Sequence, residues 1–360
     1  MTVSAPPVGA QVVRVLVVDD SVVARRVVAR AIEADPLFEL VGTAPNGKAA
    51  LEKLDVLHPD VMVLDLDMPV MDGFETLAAV RRTHPNLPVI VFSHLTQAGA
   101  GSTLDALALG ATGFALKPRA DGIGMAEELV RSDLLPLVAA VARRSTGPVY
   151  RAPQVTGSRS EPSRTRMPVT AVVIGVSTGG PNALAALVPS LPADLSVPVL
   201  IVQHMPALFT QMLAERLDRV ANVAVVEAAE SDAVVAGRIY IAPGGRHMTV
   251  RRTSVGVEVA LQDGPPENSC RPAADVLFRS AAQVYGAGVV GVVLTGMGSD
   301  GLRGCEVLRR AGGSVMVQDV ESSVVASMPA AVVGAGLAHA VLPLEEIGPA
   351  LVRWIAGQGA

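Results

Sequence analysis

Short runs rich in Val, Leu and Ile recur along this chain, each followed by a longer stretch of helical apolar spacing. They are VRVLVVDD, VMVLDLD, PVIVFS and GFALKP between Arg14 and Arg143, then TAVVIGVSTGG, VPVLIVQHM, GRIYIAP, VVGVVLTGMG and GGSVMVQD after Pro168. Runs this short and this uniformly apolar read as strands buried on both faces. Strand alternating with helix predicts a parallel sheet covered by helices. Because the alternation stops and restarts, two α/β domains are expected. The 360 residues are 50% hydrophobic, enough for two cores, and with aromatics at 3% those cores must be aliphatic. Ile347, Leu351, Trp354 and Ile355 are spaced to lay one face of a terminal helix on the second core.

The break falls at 143–168, where Pro, Gly, Ser and Thr accumulate with six Arg against one Glu. This composition predicts a flexible basic linker between a first domain at 12–142 and a second at 169–357. A net charge of -5 and a pI near 5.7 argue against a nucleic-acid partner, which would need a basic face. Cys270 and Cys305 lack metal-site spacing and fit a reducing compartment. Neither a signal pattern nor an apolar run of spanning length is present, so a cytoplasmic protein without membrane insertion is expected.

In the first domain Asp19 and Asp20 end one predicted strand and Asp65 another, at the carboxyl ends where parallel sheets place ligands. Three carboxylates gathered there repel one another unless a hard cation joins them, and Mg2+ suits such oxygen donors. Ser93 and Lys117 end the next two strands, so a hydroxyl and an ammonium can face the same cavity. This is chemistry for phosphorylating a carboxylate. A nearby near-match to a phosphate loop, Gly42 to Ala49, has Ala49 where Ser or Thr must meet magnesium, and is set aside.

In the second domain GVSTGG fits G-x-S-x-G, a strand-to-helix turn that exposes a serine beside backbone N–H groups. An ordinary helix cap could look the same. The case grows with His204 ending VPVLIVQ and Asp300 following VVGVVLT, because all three then leave strand ends on one side of a parallel sheet. Ser177 is expected to attack, His204 to take its proton and Asp300 to orient the imidazole. His339 precedes a strand-like run, and His247, in a Gly loop, better suits substrate binding than the role of base. GMGSDG also fits a dinucleotide fingerprint, with Asp319 as ribose contact, but Asp300 would put negative charge where two phosphates must sit.

The order DD, DxDMPxMDG, S and KP resembles a response-regulator receiver domain. That likeness implies a flavodoxin-like sheet, Asp65 as phosphate acceptor from a histidine kinase of the CheA type, and Mg2+ held by Asp19, Asp20, Asp65 and the Asp67 carbonyl. It also implies Ser93 and Lys117 as phosphate sensors and Phe114 as a switch aromatic. GVSTGG, QHMP, IYIAPGGRHM, CRPAADVLFRSAA, GVVLTGMGSDG and AGGSVMVQDVESSVVASMPAA together resemble the catalytic domain of the CheB family. The resemblance implies a phosphorylation-regulated hydrolase acting on glutamate γ-methyl esters of methyl-accepting chemotaxis receptors, releasing methanol, with deamidation of selected glutamines. It implies Ser177, His204 and Asp300 as the catalytic residues, with Thr178 and Met297 lining the substrate and oxyanion region, and no cofactor for the esterase. Asp67, His94 and Ser327 depart from the usual family residues. The alternative is a receiver-controlled docking protein of a non-chemotaxis pathway, which ester turnover distinguishes.

Overall fold

The structure is a computed structural model that describes residues 12–119, 122–146 and 167–358. The chain divides into two compact units, Met1–Pro148 and Val149–Ala360. Residues 147–166, most of the expected linker, lie outside the described residues.

The first unit alternates β1 (Val13–Val18), α1 (Val22–Glu33), β2 (Phe38–Ala44), α2 (Gly47–Leu57), β3 (Val61–Leu64), α3 (Gly73–Thr83), β4 (Val89–Ser93), α4 (Gln97–Ala108), β5 (Gly113–Leu116) and α5 (Ile123–Leu129). A π-helical turn, Val130–Leu134, leads into α6 (Leu135–Thr146), which carries helix into the start of the expected linker. The sheet is wholly parallel, in the order β2-β1-β3-β4-β5. β3 and β4 are buried at every residue, as expected for strands covered on both faces. The order reverses between β1 and β3, so the ends carrying Asp19 and Asp65 flank the crevice where such sheets bind ligands.

The second unit begins with β6 (Ala171–Val176), α7 (Gly180–Leu187), β7 (Val199–Gln203), α8 (Ala207–Asp218), β8 (Ala224–Glu227) and β9 (Arg238–Ile241). A hairpin comes next, β10 (His247–Thr253) and β11 (Gly256–Gln262), then α9 (Ala274–Tyr285), β12 (Val289–Val293), α10 (Leu302–Arg310), β13 (Ser314–Gln318), α11 (Ser327–Gly334), β14 (Ala340–Leu342) and α12 (Leu344–Ile355). Seven strands form a parallel sheet ordered β14-β13-β12-β6-β7-β9-β8, with β10-β11 a separate antiparallel pair. The chain enters at β6, builds outward through β7, then returns to β12 on the other side. The switch point lies between β6 and β12; Ser177 directly follows β6, and Asp300 lies in the loop that leads from β12 into α10.

Helix α9 packs on β6 and α10. It comes this close because β6 has glycine at 175, where an added Cβ would lie 2.7 Å from the Ala274 Cβ. That approach delivers the N-terminus of α9 to the switch point. On α12, Ile347, Leu351 and Trp354 are buried as the spacing predicts.

Candidate functional site

In the first unit the parallel ladder continues one residue beyond each strand. Asp19 N–H bonds the Ala44 carbonyl at 3.1 Å, Asp65 N–H the Val18 carbonyl at 2.8 Å and Lys117 N–H the Ser93 carbonyl at 2.7 Å. Backbone bonds thus set the height at which each side chain enters the cavity. Lys117 Nζ lies 2.8 Å from Asp19 Oδ2 and 2.7 Å from Asp65 Oδ2, all three groups buried. Asp65 Oδ1 accepts the Leu66 N–H at 2.9 Å, and Asp19 Oδ1 that of Ser21 at 2.8 Å. Burial pushes the Asp65 carboxyl above its ordinary range, against the pull of Lys117. Burial would lower the Lys117 ammonium, but the two carboxylates outweigh it and hold it above its ordinary value.

Asp19, Asp20 and Asp65 each offer a carboxylate oxygen within 4.8 Å of the others. One ammonium cannot neutralise three such groups, and the buried Asp19 Oδ2 has no well-aligned hydrogen-bond donor. An all-oxygen set with one exposed member fits Mg2+, which keeps part of its water shell. Ser93 is buried, its hydroxyl donating to the Gly99 carbonyl at 3.3 Å at the start of α4. Asp67 is exposed beyond β3, and Phe114 half-buried in β5 beside Val91.

In the second unit Ser177 leaves β6 in a tight turn. Its carbonyl accepts the Gly180 N–H at 2.8 Å, and Gly179 has φ 79° and ψ -3°, the values of the third residue of a type II turn. Glycine is needed for that φ and also for space, since a Cβ would lie 2.6 Å from Val324. Ser177 N–H bonds the Thr295 carbonyl at 3.0 Å, and His204 N–H the Val176 carbonyl at 3.2 Å. Gln203 Nε2 holds the Ser177 carbonyl at 3.0 Å. Among the described residues the Ser177 hydroxyl makes no hydrogen bond. The Thr178 carbonyl accepts from Thr295 Oγ1 at 2.8 Å, and Met297 is exposed in the loop after β12.

His204 Nε2 and Asp300 Oδ2 are 2.7 Å apart, the imidazole 10% and the carboxylate 2% exposed. Asp300 is densely solvated by the protein. Oδ2 also accepts the Ala274 N–H at 2.6 Å, and Oδ1 accepts from Asp275 N, Gly301 N and Asn268 Nδ2, each at 3.0 Å. Two of these donors are the first free N–H groups of α9, where a negative charge is stabilised. Burial would raise the Asp300 pKa, but His204 and these N–H groups hold it below the usual carboxylate range. Burial would lower the His204 imidazole, yet its bonds to Asp300 and Cys270 push it up to about 9.

Sequence reasoning missed Cys270 and Asn268. Cys270 Sγ is 3.4 Å from His204 Nδ1, and Asn268 Nδ2 bridges Asp300 and Asp275, the latter at 2.9 Å. Neither lies at a strand end, so the periodicity that located the others could not find them. His247 belongs to a strand and not to the Gly loop. It opens β10, buried, with Nε2 donating to the Pro265 carbonyl at 3.0 Å and Nδ1 accepting from Ala273 N–H at 3.2 Å. His339 Nδ1 accepts from Val315 N–H at 2.9 Å, beside β14 and away from Ser177 in strand order.

Family comparison agrees with this division. Residues 172–351 match the family model for CheB methylesterase and 15–128 that for the response regulator receiver domain. A protein-glutamate methylesterase/protein-glutamine glutaminase of Nocardioides sp. is 48% identical over 353 residues, covering 96% of each chain. One of the same name from Trichodesmium erythraeum is 45% identical, covering 95% of this chain and 99% of the relative. Among solved structures, the catalytic domain of Thermotoga maritima CheB methylesterase is 39% identical with a TM-score of 0.51, covering 52% of this chain and 99% of that one.

Proposed function

Since the chain belongs to the CheB family, a receiver domain followed by a methylesterase domain, we propose that it hydrolyses glutamate γ-methyl esters on chemoreceptors through Ser177, His204 and Asp300. The observation that carries this reading is the buried His204–Asp300 pair at the switch point flanked by the Ser177 turn. With Nε2 committed to Asp300, the nitrogen that accepts a proton is Nδ1. Ser177 Oγ attacks the ester carbonyl carbon, its proton passes to Nδ1, and Asp300 stabilises the imidazolium. Backbone N–H groups around Thr178 and Met297 would receive the oxyanion. Collapse of the adduct breaks the bond to the methoxy oxygen, which leaves as methanol with the proton from Nδ1. Water, deprotonated at Nδ1, then frees the glutamate. The same steps on a glutamine side chain release ammonia.

Phosphorylation governs this hydrolysis. We assign Asp65 as acceptor of the phosphoryl group from a CheA-type histidine kinase, with Asp19, Asp20, Asp65 and the Asp67 carbonyl as the residues that would hold Mg2+. When bound, the cation offsets charge on the phosphoryl oxygens. Lys117 supplies a second positive charge, and Ser93 a hydroxyl that can leave the Gly99 carbonyl for the phosphoryl group. The domain limits we adopt are 12–142 and 169–357, and the working compartment is the cytoplasm. No helix among the described residues is long and apolar enough to cross a membrane.

Methanol release from methylated receptors tests the assignment. Ser177→Ala should abolish it without disturbing the fold, because removing an unbonded, half-exposed hydroxyl opens no cavity. Acetyl phosphate with Mg2+ should raise the rate of the wild-type chain, and Asp65→Asn should block both labelling and activation. A Ser177→Ala variant at the wild-type rate would remove the triad.

A further inference from the structure

The segment that reaches the imidazole is a four-residue turn of restricted geometry. Glu267–Cys270 is closed by reciprocal backbone bonds, Glu267 N–H to the Cys270 carbonyl at 3.0 Å and Cys270 N–H to the Glu267 carbonyl at 2.9 Å. Its central residues, Asn268 and Ser269, have φ of 51° and 62°, both left-handed, as a type I′ turn requires. Both residues ahead of Ser269 are anchored. Arg279 of α9 grips Glu267 with two bonds of 2.7 and 2.6 Å, and Asn268 spans the Asp275 and Asp300 carboxylates. The frame holding Cys270 against His204 Nδ1 is therefore fixed to the residues that also hold Asp300.

We infer that Cys270 caps the catalytic base, its sulfur occupying the imidazole nitrogen through which Ser177 must pass its proton, so that turnover begins with displacement of the thiol. The inference rests on the triad assigned above. With the Nε2 position taken by Asp300, Nδ1 is the remaining acceptor, and it faces Sγ. A thiol donates S–H to Nδ1, and after proton transfer the thiolate accepts N–H from the ring. In both arrangements one proton lies between sulfur and nitrogen, and Nδ1 is closed to the serine.

The charged surroundings of His204 are few. Asp300 faces Nε2 and Cys270 faces Nδ1, with Asp275 and Arg279 of α9 and Glu267 of the turn behind them. His247 of β10 has both nitrogens engaged by backbone groups. Asp300 and the sulfur both favour the protonated ring. Removing the sulfur alone should make the imidazole a free base at lower pH. The other thiol, Cys305, is fully buried, its pKa pushed far up by burial, and does not compete.

The test is the pH-rate profile of methanol release by the full-length chain in acetyl phosphate and Mg2+, for wild type, Cys270→Ala, Cys270→Ser and Ser177→Ala. In Cys270→Ala the acid limb should move to lower pH by about one unit, raising kcat/KM at pH 7 up to about tenfold. Cys270→Ser keeps a hydroxyl on Nδ1 and should stay closer to the wild-type rate at pH 7. A Cys270→Ala profile that superimposes on wild type, or that falls while circular dichroism remains native, overturns the cap. Ser177→Ala separates the two readings. If it is silent while the Cys270→Ala profile is unmoved, the cap alone fails, and if it still releases methanol, the triad fails with it.

Discussion

Replacing Asp300 by asparagine removes one charge and almost no volume, so its effect is set by the donors the side chain must satisfy. The carboxylate accepts five hydrogen bonds, three on Oδ1 and two on Oδ2. An amide offers one oxygen. Turned toward Asn268, Asp275 and Gly301, it satisfies three donors and points its NH2 at the Ala274 N–H and His204 Nε2. The Ala274 donor is then left buried without an acceptor, at about 1–3 kcal/mol, and α9 loses the anion at its N-terminus, about 0.3–2 kcal/mol more. A loss of roughly 1–5 kcal/mol is expected in the catalytic unit. The functional cost is larger. Facing an NH2, Nε2 becomes an acceptor, the ring proton moves to Nδ1, and the nitrogen that should take the Ser177 proton is already protonated. Wrong-tautomer variants of serine hydrolases lose about 10⁴-fold in kcat, and a fall of about 10³–10⁴ is expected here. Stability should also change with pH. Because folding raises the His204 pKa from 6.5 to about 9, its contribution is fully present below about pH 6.5 and lost as pH rises through about 9. Asp300→Asn should flatten that dependence. Methanol release at several pH values, with amide exchange at Ala274 and Asp275, measures each part. A rate within tenfold of wild type would refute the reasoning.

Lys117→Ala leaves two buried carboxylates without their cation, and should cost the receiver about 3–5 kcal/mol in chelator, largely recovered in Mg2+; calorimetry showing equal stability in both would count against the assigned cation site. Ser269→Gly relieves a left-handed serine and should stabilise the catalytic unit by about 0.5–1 kcal/mol in urea unfolding, and a destabilised variant would contradict the type I′ turn. Gly179→Ala puts a Cβ 2.6 Å from Val324 at φ 79° and should cost about 2–4 kcal/mol with a parallel fall in methanol release, so an unchanged rate would show that the turn does not set the serine.

Much of the architecture could be read from the chain because buried parallel strands announce themselves. VLIVQ and VVGVV are apolar at nearly every position, and the residue after such a run is at the carboxyl edge whatever the loop does next. Asp19, Asp65, Ser177 and His204 each follow that rule directly, whereas Asp300 lies further on, in the loop between β12 and α10. The hairpin β10-β11 was less visible, since HMTVRRT mixes basic residues into its alternation and follows a Gly turn that reads as loop. Cys270 and Asn268 were out of reach for a different reason. Their placement depends on a type I′ turn made by Asn-Ser in place of the favoured Asn-Gly, on tethers to Arg279 and Asp275 of the helix that follows, and on Asp300 from further along the sequence. Which imidazole nitrogen would serve as the proposed base also needed three dimensions.

Both sites are built alike in backbone and oppositely in charge. In each, a ladder bond just beyond the strand sets the height of the functional residue, as with Asp65 on Val18 and His204 on Val176. A side-chain substitution at these positions therefore changes chemistry before it changes shape. In the receiver, one ammonium faces three carboxylates, so the cavity carries uncompensated negative charge and responds strongly to a cation or a phosphoryl group. In the esterase, one carboxylate faces five donors and is held in a single state. The first arrangement favours switching, and the second favours repetition of one proton transfer. On the proposed assignments, control by phosphorylation would follow from the charge imbalance at Asp65, and fidelity of hydrolysis from its absence at Asp300.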